Sequence, residues 1–198
     1  MPQHDWIKST LGHGELMCKR CLVTNREATA LGILDKCEEK DLRKKKEIVR
    51  TFYKRQKSHI EKYGRSIVGV FADEDEQDVI NHTFSYTIGN TIKGMPELLV
   101  FGIAQSSLLN HLSELMIKRD RGFKNNEIID IGGKHPTCAI DADDEEVKKE
   151  FTIQAGRYLG HEFYRVQQIV IPDKNGLFPW QVGCAEPYSK VRIWRKGR

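Results

Sequence analysis

The chain has 198 residues, of which 39% are hydrophobic and 30% charged, with a net charge of +4. That length suits one domain with an extension, or two small units, and the apolar share is enough for a core. No apolar run approaches the roughly 20 residues of a membrane-spanning helix, and the opening MPQHDWIKSTLGHGE lacks the apolar stretch of a secretory signal, so a soluble, cytoplasmic protein is expected.

The charge is unevenly spread. Lys40 to Arg65 is strongly basic, while Asp73–Asp78 and Asp141–Glu146 are acidic runs. Five cysteines are an odd number. In a reducing compartment they read as thiols or metal ligands rather than a disulfide framework.

Residues 1–64 form an N-terminal extension in this reading. Cys18 and Cys21 sit in CKRC, and Cys37 follows. Two thiolates on one tight turn are half of a tetrahedral zinc site. With Cys37 and His13 they make a candidate structural zinc set, with His4 and His59 as alternative fourth ligands. Free thiols are the competing reading, and a redox pair lacks the expected βαβ context. Next, KDLRKKKEIVRTFYKRQKSHIEKYG is predicted as one helix. Leu42, Val49, Phe52, Tyr53, Ile60 and Tyr63 recur at helical spacing, and Gly64 ends the run. Lys44, Lys45, Lys46, Arg50, Lys54, Arg55 and Lys57 occupy its other faces. They can neutralise phosphates of a nucleic acid, meet an acidic protein, or simply face solvent. The apolar stripe can dock on the main domain or pair with a second copy as a homodimer.

Residues 65–198 are read as the main domain. SIVGVFA, TFSYTIG, ELLVFGI, EIIDI, TCAIDA and FYRVQQIVI are predicted strands, with FPWQVG and KVRIW as the last ones. DEDEQD is predicted as a solvated turn. QSSLLNHLSELMIKRDRG is an amphipathic helix with Leu108, Leu109, Leu112, Leu115 and Met116 on one face. DDEEVKKEFTIQAGRYLG is predicted as a second helix, its acidic first turn matched to the helix dipole. Strands and two helices without strict βαβ alternation predict an α+β domain on a mainly antiparallel sheet, open or barrel-like.

Candidate site residues cluster in two stretches. In FSYTIG, Tyr86 and Thr87 face opposite sides of a strand, Tyr86 with Phe84 and Ile88, Thr87 with Ser85 and Gly89. Gly89 has no side chain, so a ligand or another backbone can come close. Glu97 stands at a strand entrance, where it either orders the preceding loop or lines a cleft. Asp173 lies in the PDKNG turn, and Trp180 follows with one N–H and a ring suited to core packing or stacking. Tyr86, Thr87, Gly89 and Trp180 are the candidate ligand-binding residues. Glu97 and Asp173 could supply acid–base chemistry, with His82 as proton carrier. His111 is expected to be exposed, and GGKHPTC is a turn or an anion-binding nest. No phosphate-binding Walker loop, nucleophile elbow or His-Glu-x-x-His is present, so common nucleotide hydrolases and zinc proteases are not supported.

FSYTIGNTIKGMPELLVFGI, followed by an amphipathic helix and later by QQIVIPDKNGLFPW, resembles the DUF4262-type family of bacterial and phage domains of unknown function. The resemblance rests on Tyr86, Thr87, Gly89, Pro96, Glu97 and Leu98, then Pro172, Asp173, Gly176, Phe178, Pro179 and Trp180, and spans roughly Ser66 to Gly183. Asn90 stands where that pattern has an apolar residue, and Met95 where it often has His. The resemblance implies no activity. Since such relatives occur in phages and bacteria, it allows a role in phage–host conflict.

Three readings follow. The first is a binding protein with a small pocket for a nucleotide-like ligand and a basic, zinc-bound segment that contacts nucleic acid or an acidic partner. The second is a hydrolase on a nucleotide-like or glycosidic substrate, using Glu97, Asp173 and His82. The third is an inhibitor or interaction protein that works through its charged surfaces.

Overall fold

The computed structural model describes residues 6–8, 16–18, 39–72, 77–102 and 106–194. The chain divides into two compact units, Met1–Ser58 and His59–Arg198. In the first, β1 (Trp6–Lys8) pairs antiparallel with β2 (Leu16–Cys18). Helix α1 (Glu39–Tyr63) starts in the first unit and ends in the second. It runs 25 residues without a Gly or Pro, and Gly64, at φ +80°, closes it by donating to the Ile60 carbonyl.

The predicted apolar stripe of α1 needs correction at two positions. Ile60 is buried and Val49 and Tyr53 are half-buried, but Phe52 and Tyr63 are exposed. Gln56 is buried in their place. Val49, Tyr53, Gln56 and Ile60 follow the i, i+4, i+7, i+11 rhythm of a single face, and Phe52 and Tyr63 fall at its edge.

The second unit is an open sheet of six strands: β3 (Ser66–Val70), β4 (Phe84–Ile88), β5 (Glu97–Phe101), β6 (Glu127–Ile129), β7 (Thr137–Asp141) and β8 (Val166–Val170), in the order β3-β4-β5-β8-β7-β6. All neighbours are antiparallel except β5 and β8. A parallel pair needs a crossover. Here helix α3 (Ser106–Arg119), the β6–β7 hairpin and two short helices after β7 supply it; α2 (Val79–His82) is a short turn of helix ahead of β4. The fold is the predicted α+β class, and the sheet does not close into a barrel.

Strand alternation divides the core. Phe84, Tyr86, Ile88, Leu99, Phe101 and Val166 face one side, beneath Val147 of α4 (Glu145–Glu150) and Ala155 of α5 (Ile153–Leu159). Leu98, Val100, Ala139 and Ile169 face the other, packed with Leu108, Leu109, Leu112 and Met116 of α3. Strands buried on both faces read as continuous apolar runs, as ELLVF does.

Two predicted elements differ from the observed ones. The helix predicted from DDEEVKKEFTIQAGRYLG is two helices, broken at Phe151–Thr152. Phe151 turns into an aromatic cluster, 5.2 Å from Phe84 and 5.1 Å from Phe101. The Tyr164 hydroxyl donates to the Thr152 carbonyl at 3.1 Å, taking an acceptor that a continuous helix would use. The strands predicted from FPWQVG and KVRIW are absent: the first is a series of turns, and the second starts at the end of the 3₁₀ turn Tyr188–Lys190 and runs on outside the sheet. Of DEDEQD, residues 73–76 lie outside the described residues, and Asp78 stands at the N-cap position of α2 without a side-chain cap hydrogen bond.

Two adjacent glutamines of β8 hold segments that the sheet does not. Gln167 accepts from the Phe123 N–H at 3.2 Å and donates to its carbonyl at 2.7 Å. Gln168, on the opposite face, accepts from Trp194 N–H at 2.9 Å and donates to the Arg192 carbonyl at 2.6 Å. Leu112 is fully buried between α3 and the sheet. Leu112→Ala is expected to cost about 3 kcal/mol of stability, read from urea unfolding, because it leaves a cavity in a packed layer.

Candidate functional site

Glu97 begins β5 and is fully buried. Its Oε1 accepts from the Gly89 N–H at 3.0 Å, the Thr91 N–H at 3.0 Å and the Thr91 hydroxyl at 2.8 Å. Its Oε2 accepts from the Thr87 hydroxyl at 2.7 Å and the Asn90 N–H at 3.3 Å. A carboxylate has about four lone-pair positions. Five donors therefore engage the whole group and wrap the loop from Gly89 to Pro96, with its 3₁₀ turn at Asn90–Lys93, around one side chain. Burial pushes the Glu97 carboxyl upward, and the hydrogen bonds from Thr91, Thr87 and Gly89 pull it back.

The network extends inward. The Thr87 hydroxyl, besides donating to Glu97, accepts from Leu98 N–H at 2.8 Å. Asn90 is buried, with its amide nitrogen within reach of Thr87 Oγ1, the Pro96 carbonyl and Ser113 Oγ. Its Oδ1 accepts from Arg65 Nε at 3.2 Å, and Arg65 Nη2 reaches Glu114 at 2.6 Å. That pairing holds the Glu114 carboxyl below its ordinary range. Gly89, at φ +111°, lets backbone approach: a Cβ there would lie 3.1 Å from the Gly64 carbonyl oxygen and 3.1 Å from Ile60.

Asp173 is a second node of the same kind. Oδ1 accepts from Asn175 N–H at 2.8 Å and Leu177 N–H at 2.9 Å, and Oδ2 from Ala185 N–H at 2.8 Å. The backbone donors of Ala185 and Leu177 hold its carboxyl below the ordinary value. The loop so tied presents Trp180, 38% exposed and stacked on Phe178 at 4.9 Å. His135 of GGKHP joins it: its Nε2 lies 3.0 Å from the Lys174 carbonyl, and its ring packs where a Cβ on Gly176 would stand. Cys184 in this loop has its thiol pushed up by burial and by Asp173.

Thr87, Gly89 and Glu97 come together directly. Tyr86 is on the opposite face of the sheet, buried beside Phe84. Asp173 and Trp180 are at the far end: Glu97 pairs with Val166 at the start of β8, Asp173 follows the end of β8, and a five-residue strand spans roughly 13 Å. His82 is exposed, with Nδ1 at 3.1 Å from the Asp78 carbonyl. His111 is exposed on α3. Arg50, Lys54, Arg55 and Lys57 are exposed on α1, which also carries Lys44, Lys45 and Lys46. Cys18 is buried, while Cys21, Cys37 and His13 lie outside the described residues. Among the described residues, no group of three metal-ligating side chains occurs.

Both nodes fall within one family match. The model of a family described as a domain of unknown function, DUF4262, matches residues 59–185. The chain belongs to the DUF4262 family. None of the curated proteins and none of the solved structures compared with it shows a match.

Sequence reasoning missed how the DUF4262 domain supports its loops. Asn90, noted only as a departure from an apolar position, is a hub, and Arg65 and Ser113 are its partners. The signal was present: a polar residue where the pattern is apolar calls for buried partners.

Two outcomes follow. Glu97→Gln puts an amide N–H against donors that are already aimed at Oε1 or Oε2, so it is expected to destabilise the protein by about 2 kcal/mol in thermal or urea unfolding. Asp173 has a depressed carboxyl, so its contribution is present above the ordinary value of 3.8 and disappears as pH falls through the lower folded value. Protection of the Asn175, Leu177 and Ala185 amides against exchange, corrected for the intrinsic rate, should be high at neutral pH and fall only below that ordinary value; in Asp173→Asn the remaining oxygen can keep Asn175 and Leu177, and Ala185 should lose its protection at pH 7.

Proposed function

We propose that this DUF4262 protein is a binding protein, and that the basic face of α1 contacts nucleic acid. The observation that carries this reading is the state of its two carboxylates. Glu97 has donors on every lone-pair position, and Asp173 has three backbone donors that lower its carboxyl and make it a weak base. A general base needs a free lone pair within reach of a substrate proton. The domain is thus better suited to holding rigid surfaces than to hydrolysis with Glu97, Asp173 and His82.

The partner class follows from α1. Arg50, Lys54 and Lys57 recur at i, i+4 and i+7 and are exposed, and Arg55 is exposed beside them. Cations in a row on a helix match the spacing of phosphates better than a dispersed surface does. A structural zinc held by Cys18, Cys21, Cys37 and His13 would fix the hairpin that precedes this helix. The exposed ring of Trp180 offers a stacking surface for a nucleotide-like ligand.

The test is fluorescence anisotropy with a labelled 20-nucleotide strand and its duplex across a salt series. Binding is expected to weaken linearly in log–log form. Arg50→Gln, Lys54→Gln and Lys57→Gln together should flatten the slope by about 2 to 3. Salt-independent binding, or the same slope in the triple variant, would overturn the assignment to α1. Turnover of a nucleotide or glycoside that Glu97→Gln abolishes without lowering the Tm would restore the hydrolase.

A further inference from the structure

The segment Lys190–Trp194 is held in an unusual way. It leaves the 3₁₀ turn Tyr188–Lys190 and joins no strand. Asn81 donates to the Lys190 carbonyl at 2.9 Å and accepts from the Arg192 N–H at 2.7 Å. Gln168 donates to the Arg192 carbonyl at 2.6 Å and accepts from the Trp194 N–H at 2.9 Å. Each side-chain amide thus bonds a carbonyl and the N–H two residues on, as one residue of a neighbouring parallel strand would. Four backbone groups are read without reference to side-chain identity.

Identity enters at two positions. Trp194 stacks on Phe101 at 5.7 Å and meets Phe151 edge-on at 5.1 Å. Arg192 bonds Glu146 at 2.6 Å, lies 4.0 Å from Glu150, and covers the Trp194 ring at 4.1 Å. Val191 and Ile193 pack against the sheet face as well.

We infer that this face, lined by Asn81, Phe101, Glu146, Phe151 and Gln168, is a peptide-recognition groove that residues 190–194 fill in cis, and that it takes an Arg-x-Trp segment of a partner protein when they leave. Every groove residue lies inside the family match at 59–185, whereas the occupant lies beyond it. Backbone capture by side-chain amides, an acidic pair for a cation and an aromatic slot two residues on are the parts of an extended-peptide reader. The ion pairs of Arg192 are about half exposed and hold weakly, so they do little to keep the segment in place, and an incoming segment with the same groups has the tether's effective concentration to overcome. Gln168 is fully buried, so an empty groove would strip its amide of partners. Occupancy is therefore an exchange between the chain's own segment and a partner's. This inference is independent of nucleic-acid binding by α1.

The experiment uses the full chain and a fluorescein-labelled SKVRIW peptide, read by anisotropy, with the Trp194 indole N–H signal followed by NMR. Arg192→Glu sets a carboxylate against Glu146 and Glu150 at an exposed position. It is expected to release Trp194 and to bind the peptide at least tenfold more tightly than the unaltered chain. A second variant, Glu146→Arg, should reverse the preference, binding SKVEIW better than SKVRIW. If Trp194 stays seated in Arg192→Glu, or leaves and the peptide binds no more tightly, the groove is only a core seam and the inference fails. Equal affinity of Glu146→Arg for both peptides also overturns it.

Discussion

A carboxylate without access to water organises one end of this sheet. Burying a charge is costly unless donors replace its hydration, and the chain supplies five to Glu97 from three consecutive backbone N–H groups and two threonine hydroxyls. That requirement dictates the loop: Gly89 must turn at positive φ, Thr91 must fold back, and β4 must end where Thr87 can reach. The register of β4 against β5 and the entry of β5 beside β8 are both anchored at this point.

The same principle recurs around the DUF4262 domain. Asp173 ties a loop at the opposite end of β8 through three backbone donors. Gln167, Gln168 and Asn81 use amides to hold segments that never join the ladder. The polar side chains buried here act as short pieces of strand, each matching a passing backbone. A fully satisfied buried group of this kind rigidifies and specifies, whereas a half-satisfied one would cost more than an apolar core. This is why the domain presents loops of fixed shape on an open sheet with helices over both faces.

Much of this was legible in the residues. The alternation in FSYTI separated Tyr86 from Thr87, and the observed faces agree, with Tyr86 beside Phe84 and Thr87 against Glu97. The amphipathic pattern of α3 correctly named Leu108, Leu109, Leu112 and Met116 as its inner face. The family motifs marked both loops that carry the buried carboxylates. What was not legible was the reach of individual side chains. Nothing in QQ distinguishes a glutamine that bonds Phe123 from one that bonds Trp194, since the two differ only in which face of β8 they occupy. Likewise Phe151 looks like one more inward position of a helix, and only the ring cluster around it ends that helix.

The sequence by itself determined the α+β class, the strands and helices with strong periodicity, and the Tyr-Thr-x-Gly and Pro-Glu-Leu stretch as one unit, because period and turn chemistry are local. Only the tertiary structure decided that the sheet stays open with one parallel pair, that Glu97 and Asp173 stand at opposite ends of β8, and that the segment Lys190–Trp194 is held by side-chain amides rather than joining the sheet. Those outcomes depend on contacts between residues up to 111 positions apart, where a side chain's partner is set by the geometry of the assembled core and not by its neighbours in the chain.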